Sequence, residues 1–332
     1  MESILAIFPP ELLRILISGI LVIALVFLNG LVMVYFERKL AGYMQYRCGL
    51  MEIGWQGVLQ SLVDGIKLIS KRLVIPKNVD GPLYRIAPLL AFTPVVLPFL
   101  VVPFGKHLQV RDLNVGLIFV MAMGSLNVMA IFMAGWSSNN KYSMFGAMRT
   151  VAQNIAYEIP ILLSLLSVVL VTNTFSMSGI VDAQSGGSWF ILLQPVAFLI
   201  YLVAGVAETN RAPFDLPEAE SELTAGFHTE YSGIAFGLFF LGEYANMLTV
   251  SCVATTLFLG GWHGPWEEYF GTLWFFLKAY SIMFFMIWIR WTFPRVRFDQ
   301  LMNLAWKYLI PFALVNLLVT AAAVKFLPLI FV

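Results

Sequence analysis

Long apolar runs separated by short polar stretches recur along the whole chain. A hydrocarbon core about 30 Å thick needs about 20 apolar residues per helix. On that rule the pattern predicts eight membrane spans, at about 13–36, 86–104, 115–136, 151–172, 189–207, 232–258, 272–291 and 308–331. One stretch has a different character. Trp55, Val58, Leu59, Leu62, Val63, Ile66, Ile69 and Leu73 recur at helical spacing, with Gln60, Asp64, Lys67 and Lys71 on the opposite face. Too short for a span and charged throughout, the segment over about 55–73 is expected to be an interfacial amphipathic helix or a cap over the bundle. The expected fold class is all-α: a polytopic membrane helix bundle of about eight transmembrane helices plus an amphipathic interfacial helix. No internal repeat, low-complexity tract or long linker divides the chain, so residues 1–332 are expected to form a single integral membrane domain.

The basic residues give this bundle a direction. Arg38, Lys39, Arg47, Lys67, Lys71, Arg72, Lys77 and Arg85 fall in the first connection. Lys141, Arg149, Arg211, Arg290, Arg295, Arg297 and Lys307 fall on the same side. Only Arg14, Lys106, Arg111 and Lys325 lie on the other, with Lys278 inside a span. The positive-inside rule then puts both termini outside and the connections 37–85, 137–150, 208–231 and 292–307 inside.

Composition agrees with a membrane solvent. The chain is 60% hydrophobic and 12% charged with a mean hydropathy of +0.83, against about 25% charged in a soluble domain. A net charge of +1 argues against nucleic acid as a partner. Glu2 stands where a cleavable signal peptide would be basic, and Pro9-Pro10 interrupts the first apolar stretch, so no such peptide is expected. Cys48 and Cys252 lie far apart without a CxxC partner, which gives no sign of an iron–sulfur cluster, a zinc site or a disulfide framework. There is no GxGxxG after a strand and no GxxxxGK[ST], so the chain is expected to bind neither NADH nor ATP by such a loop. His107, His228 and His263 fall at loops or span ends rather than as paired haem ligands within helices. The chain is therefore expected to carry no redox centre and no metal of its own.

The candidate chemistry lies in carboxylates set beside hydrocarbon. From Glu208 to Glu230 the chain carries Glu208, Asp215, Glu218, Glu220, Glu222 and Glu230 against one cation, Arg211, a net charge of −5 with His228 neutral. Pro213 and Pro217 prevent one continuous helix there, and Glu218 and Glu222 are i, i+4 neighbours. Crowded carboxylates near hydrocarbon repel one another and resist desolvation, so some should keep their protons above the usual acid range. Glu37 is expected to end span one, Glu158 lies in span four before Pro160, Glu208 ends span five, and Glu243 sits in span six. Glu243 falls roughly 16–18 Å from the inner boundary. Such a group should face the bundle interior or a water-filled cavity. Lys278 enters span seven from the outer side at a similar depth, and two readings fit it: an ion pair with Glu243, or snorkelling to the outer interface. The alternative for the acidic connection as a whole is a solvated surface loop.

Several of these motifs resemble a known family. They are Glu37-Arg-Lys-Leu-Ala-Gly-Tyr-Met-Gln-Tyr-Arg, Asp64-Gly-Ile-Lys-Leu, Ala207-Glu-Thr-Asn-Arg-Ala-Pro-Phe-Asp-Leu-Pro-Glu-Ala-Glu-Ser-Glu-Leu and Phe227-His-Thr-Glu-Tyr-Ser-Gly. Phe240-Leu-Gly-Glu-Tyr-Ala-Asn-Met and Arg290-Trp-Thr-Phe-Pro-Arg-Val-Arg-Phe-Asp-Gln-Leu-Met complete the set. In order and over nearly the whole chain they resemble the H-type membrane subunits of proton-pumping NADH:quinone oxidoreductase, respiratory complex I. The chain departs from that family after Arg47, where Cys48-Gly49-Leu50-Met51-Glu52 replaces the usual Gly-Pro-Asn; this bears on the local turn and on contacts at the quinone entrance.

The resemblance implies a multi-pass subunit, in a bacterial inner membrane or its organellar equivalent. It would anchor the peripheral redox arm, form much of the quinone chamber and begin the charged axis that couples quinone chemistry to proton translocation. Its implied partners are peripheral iron–sulfur and quinone-site subunits, small membrane subunits, antiporter-like subunits and membrane lipid, with quinone as substrate. Asp215, Glu218, Glu220, Glu222 and Glu230 match positions near the chamber, and Glu158, Glu208 and Glu243 match the path into the membrane. Glu37, Arg38, Arg47, Arg211, Phe214, Phe227, Arg290 and Arg295 match the chamber or a subunit interface.

The rival within the same class is the equivalent membrane subunit of a membrane-bound hydrogenase or formate hydrogenlyase. From other classes come a secondary transporter, which predicts an inverted repeat with paired broken spans, and a purely structural anchor, which leaves the intramembrane glutamates unexplained. The charge asymmetry makes a direct prediction. A compartment reporter fused after Val332 should give the outside signal, and an inside signal would mean that the number of spans is odd.

Overall fold

A computed structural model describes residues 10–106, 108–216 and 224–326, with side chains from Ile15 onward. His107 and the carboxylates Glu218, Glu220 and Glu222 lie outside the described residues. Among those described the chain is helical and has no strand, only an isolated bridge between Gly105 and Leu108.

The helices in chain order are α1 (Pro10–Met44), α2 (Gln60–Ser70), α3 (Gly81–Val96), α4 (Gly116–Ser137), α5 (Lys141–Thr172), α6 (Met177–Asp182), α7 (Phe190–Leu193) and α8 (Pro195–Glu208). They are followed by α9 (Gly233–Phe258), α10 (Glu267–Thr292), α11 (Phe298–Asn303) and α12 (Ile310–Phe326), with a π-helical turn, Leu304–Leu309, joining the last two. Seven helical stretches among the described residues are long and apolar enough to cross a membrane.

The fifth expected span, 189–207, is not one continuous helix. It is the pair α7 and α8, interrupted at Gln194 (φ −130°, ψ 54°). The cause is Pro195, which disfavours helical geometry in the residue before it and has no N–H to continue the ladder. The Gln194 side chain ties this break to α12, bonding Thr320 at 2.9 Å and Asn316 at 3.2 Å. With α7–α8 counted as a crossing, the connections alternate between two ends of the bundle. The acidic connection then shares an end with 45–80, 138–140 and 293–297.

Two further boundaries differ from expectation. Helix α5 begins ten residues before 151, because Asn140 caps it by accepting a hydrogen bond from the Tyr142 N–H at 2.9 Å. The helical stretch through α11 and α12 begins at Phe298 rather than 308. Most of the expected inner loops 137–150 and 292–307 is therefore helix extending past the apolar segment.

Lipid-facing surfaces are apolar and the polar residues point inward, as a bundle in hydrocarbon requires. Asn29, Glu37, Gln153, Asn154, Gln184, Ser251, Thr255, Thr256 and Lys278 are buried, while Ile20, Leu21 and Leu28 of α1 and Leu318 and Val319 of α12 are exposed. Close packing depends on small residues. A Cβ on Gly135 would stand 2.3 Å from that of Ala147, so α4 and α5 touch nearly backbone to backbone. Gly146 faces Gly226, where a Cβ would meet the neighbouring backbone at 2.8 Å, and this seats the end of the acidic connection against α5.

The amphipathic segment forms a turn, Trp55–Gly57, followed by α2. Asp64 and Leu68 face the bundle, where Asp64 pairs with Arg38 and Leu68 packs over Gly237 of α9, while Lys67 and Lys71 are exposed. Trp55, Leu62, Ile66 and Ile69 face outward. The Cys48–Glu52 turn folds back on α1, where Gly42 leaves room for the Gly49 backbone at 2.9 Å from the place of a Cβ.

Candidate functional site

Glu37 does not end its span. It lies within α1, about two turns before Met44, and is buried. Three groups converge on its carboxylate: Arg211 Nη1 donates to Oε2 at 2.9 Å, the Tyr244 hydroxyl donates to Oε2 at 2.7 Å, and Arg290 Nη1 bonds Oε1. Arg211 comes from the connection after α8, Tyr244 from α9 and Arg290 from the end of α10. The second terminal nitrogen of Arg211 lies 3.5 Å from Glu243 Oε2, and its guanidinium stacks on the Tyr244 ring, 4.2 Å from the centroid. Two carboxylates and two guanidinium groups therefore balance in one cluster. Burial disfavours the Arg211 charge, yet Tyr244, Glu37 and Glu243 outweigh that and hold the group above its ordinary arginine value.

The chain brings Arg211 inward by tying the connection to α5. Gln153 Nε2 donates to the carbonyl oxygens of Ala207 and Phe214, each at 2.8 Å. Phe214 is buried with its ring 6.0 Å from that of Tyr157, whose hydroxyl donates to the Leu301 carbonyl at 2.9 Å. The Val296 N–H reaches the Pro213 carbonyl at 3.0 Å, and Asp215 pairs with Arg295 at 3.3 Å. The far end of the connection is held as firmly. Glu230 accepts from Asn140 Nδ2 at 2.6 Å, its carbonyl accepts from the Tyr84 hydroxyl, and Tyr84 stacks on Tyr231 at 4.3 Å. Phe227 packs against Phe239 in the same cluster.

The remaining predicted acids lie apart from these cations. Glu158 accepts a hydrogen bond from Ser125, and Glu208 borders a small internal cavity with Asn127, Asn154, Tyr201 and Asn246. No Lys or Arg nitrogen among the described residues comes within 4.0 Å of either carboxylate. Arg38 joins α1 to α2 through Asp64 at 2.6 Å, and exposed Arg47 bonds the Gln45 side chain within its own turn at 2.7 Å. Both stand outside the buried cluster.

The Glu243–Lys278 pair does not form, and Lys278 does not snorkel free. Its ammonium donates to the carbonyls of Leu259, Gly261 and His263 at 2.7, 3.0 and 2.7 Å and lies over the Trp189 ring at 4.4 Å. A cation thus satisfies the carbonyl-rich end of α9, which the helix dipole favours. The turn that exposes those carbonyls needs Gly260 and Gly261, both at positive φ. Sequence reasoning missed Tyr244 and Gln153. Gln153 and Tyr157 stand one turn apart on one face of α5, a signal that this face meets polar groups. Among the described residues no three His, Cys, Asp or Glu side chains gather as a metal site.

A family model described as NADH dehydrogenase matches residues 17–321. The chain belongs to that family. It is 48% identical over 325 residues to the NADH-quinone oxidoreductase H subunit of Desulfotalea psychrophila, covering 95% of this chain and 98% of the relative. It is equally identical to the H subunits of Dehalococcoides mccartyi, over 95% of this chain and 88% of the relative, and of Carboxydothermus hydrogenoformans, over 92% and 87%. A multi-pass integral membrane protein of the NADH dehydrogenase family accounts for both the long apolar helices and the inward-facing polar residues.

The buried cluster can be tested through its energetics. Removing one partner of a buried ion pair leaves an uncompensated charge, at a cost of about 3–5 kcal/mol. Arg211→Met should therefore lower the thermal stability of the purified complex, and adding Glu243→Gln should recover part of the loss by removing one stranded carboxylate. An Arg211→Met protein as stable as its parent would contradict the ion-pair geometry.

Proposed function

We propose that this chain is the membrane subunit of an NADH-quinone oxidoreductase that helps to form the quinone chamber and couples quinone reduction to proton translocation. The observation that carries this reading is Arg211. It belongs to the acidic connection, yet its charge is held by Glu37 and Glu243 inside the membrane helices. A change of charge at the connection therefore acts on buried acids without needing a long-range pathway.

In this reading Phe214, Phe227, Asp215 and Glu230 line the approach to the quinone headgroup, and Arg38, Arg47 and Arg295 face neighbouring subunits or their counter-charges. Reduction of quinone creates negative charge and a demand for protons. The acidic connection answers by changing its protonation, and Glu37, Glu243, Glu208 and Glu158 carry that change into the membrane as coupled titrations. The partners are other subunits of the oxidoreductase: a peripheral arm that brings electrons through iron–sulfur centres, small membrane subunits and antiporter-like subunits. The redox centres belong to those partners, and this chain supplies binding and proton handling. The names of its relatives support the quinone enzyme over the hydrogenase alternative. For a secondary transporter, the break at Gln194 has no paired broken span among the described residues.

The test falls on the acids of the connection. Glu220→Gln and Glu222→Gln should each impair quinone-coupled proton pumping while leaving assembly largely intact. Glu218→Lys should be worse, because a fixed cation four residues from Glu222 can pair with it and hold it ionised. A solvated loop instead tolerates all three, since surface changes usually shift stability by no more than about 0.5 kcal/mol. Quinone reduction and pumping are measured separately in membranes, and normal values of both in all three variants would refute the reading.

A further inference from the structure

One stretch of α4, from Gly124 to Asn127, lies among three glutamates carried by three other helices. Glu158 of α5 bonds Ser125. Glu208, the last residue of α8, faces Gly124, where a Cβ would stand 3.2 Å from its Oε1. Glu243 of α9 borders a cavity with Asn127.

Two internal cavities meet at this stretch. The first is bordered by Glu208, Asn154 and Tyr201, the second by Glu243, Asn210 and Thr209, and each has a volume of about 30 Å³. A water needs about 10–15 Å³ on this measure, so each cavity has room for one or two. The residues bordering both cavities are Asn127 and Asn246. Asn246 stands one turn beyond Glu243 on the same face of α9, and its Nδ2 lies 3.5 Å from the Glu208 carbonyl oxygen.

The cavities are also polar in the way that water requires. Each is bordered by an asparagine whose amide oxygen is buried and accepts no hydrogen bond from protein: Asn154 in the first and Asn210 in the second. Asn154 is only 3% exposed. Buried acceptors are rarely left unsatisfied, and a cavity of this size beside one admits a water as the donor.

We propose that the side chains of Asn127 and Asn246 form the neck that joins these two cavities and position the water through which Glu208 and Glu243 exchange protons. The inference rests on the proton-coupling role of the glutamates and adds the element that connects them. The transfer balances without any other reactant. Glu208, which has no cation beside it among the described residues, gives a proton to the adjoining water, that water passes one of its own across the neck, and the Glu243 carboxylate takes up the last, leaving each water and amide chemically unchanged. An asparagine suits the neck because it donates and accepts at once and does not titrate, so it orients water without retaining the proton as a carboxylate would. Gly124 suits its place because any side chain there would press on the Glu208 carboxylate. Asn127 and Asn246 are thus positioning residues, acting through the water that they hold.

The experiment uses the assembled oxidoreductase in sealed membrane vesicles, with quinone reduction and proton translocation read separately. Asn127→Leu and Asn246→Leu fill the neck with hydrocarbon, and each should lower the protons moved per electron by about tenfold. Asn127→Ala and Asn246→Ala open the neck to a further water and should lose less, about two- to threefold. A role in helix packing alone predicts the opposite order, because alanine loses the same hydrogen bonds and leaves a cavity besides. Alanine variants as impaired as the leucine variants, or leucine variants that pump normally, would overturn the proposal. If a leucine variant does not assemble, valine at the same position carries the same comparison. Glu208→Gln and Glu243→Gln are measured in parallel. Loss of pumping in these with normal pumping in the leucine variants overturns the neck alone, whereas normal pumping in the glutamine variants overturns the relay and the neck together.

Discussion

Arg211 is a permanently charged group surrounded by hydrocarbon-facing helices, and the arrangement of three of those helices follows from how it is neutralised. Glu37 of α1, Glu243 of α9 and the Tyr244 ring enclose it, while Arg290 from α10 balances the second carboxylate charge. A guanidinium can serve two carboxylates at once because its nitrogens fan out in one plane, and it remains charged at any physiological pH. The ion cluster therefore fixes where α1, α9 and α10 meet. It also obliges the connection after α8 to dip into the bundle rather than lie in solvent.

The rest of the site follows from keeping that dipping segment in place. Its backbone carbonyls are satisfied by Gln153, its Phe214 ring is buried against Tyr157, and Asp215 is met by Arg295. At the opposite end of the bundle Lys278 solves a similar problem by different means, serving three backbone carbonyls rather than a carboxylate. The two cations explain why charged side chains persist in so apolar a chain. Each satisfies polar groups that the fold would otherwise bury alone.

Most of the bundle is legible in the sequence because lipid imposes a single rule, about twenty apolar residues per crossing, and seven stretches obey it. The helix that does not, α7–α8, reads as continuous because Pro195 sits in a run that hydropathy alone scores as unbroken. The starts of α5 and of the Phe298–Phe326 stretch are also displaced from their expected positions. Hydropathy marks where hydrocarbon ends, whereas caps such as Asn140 decide where a helix ends. At the site, the acids and Arg211 can be named because a charge amid apolar sequence is conspicuous. Their partners cannot. Depth alone pairs Lys278 with Glu243, but depth does not reveal which way two helices are turned, and Tyr244 and Gln153 only acquire meaning once α1, α5 and α9 are packed together.

In the proposed reading, coupling depends on Arg211 joining the acidic connection to the intramembrane acids as one electrostatic unit. Arg211→Lys tests this most directly, since lysine keeps the charge but cannot span both Glu37 and Glu243 with a planar fork. In membrane vesicles carrying the assembled complex, the number of protons translocated per electron passed to quinone should fall while quinone reduction continues. An Arg211→Lys complex that reduces quinone with an unchanged proton-to-electron ratio would contradict this coupling.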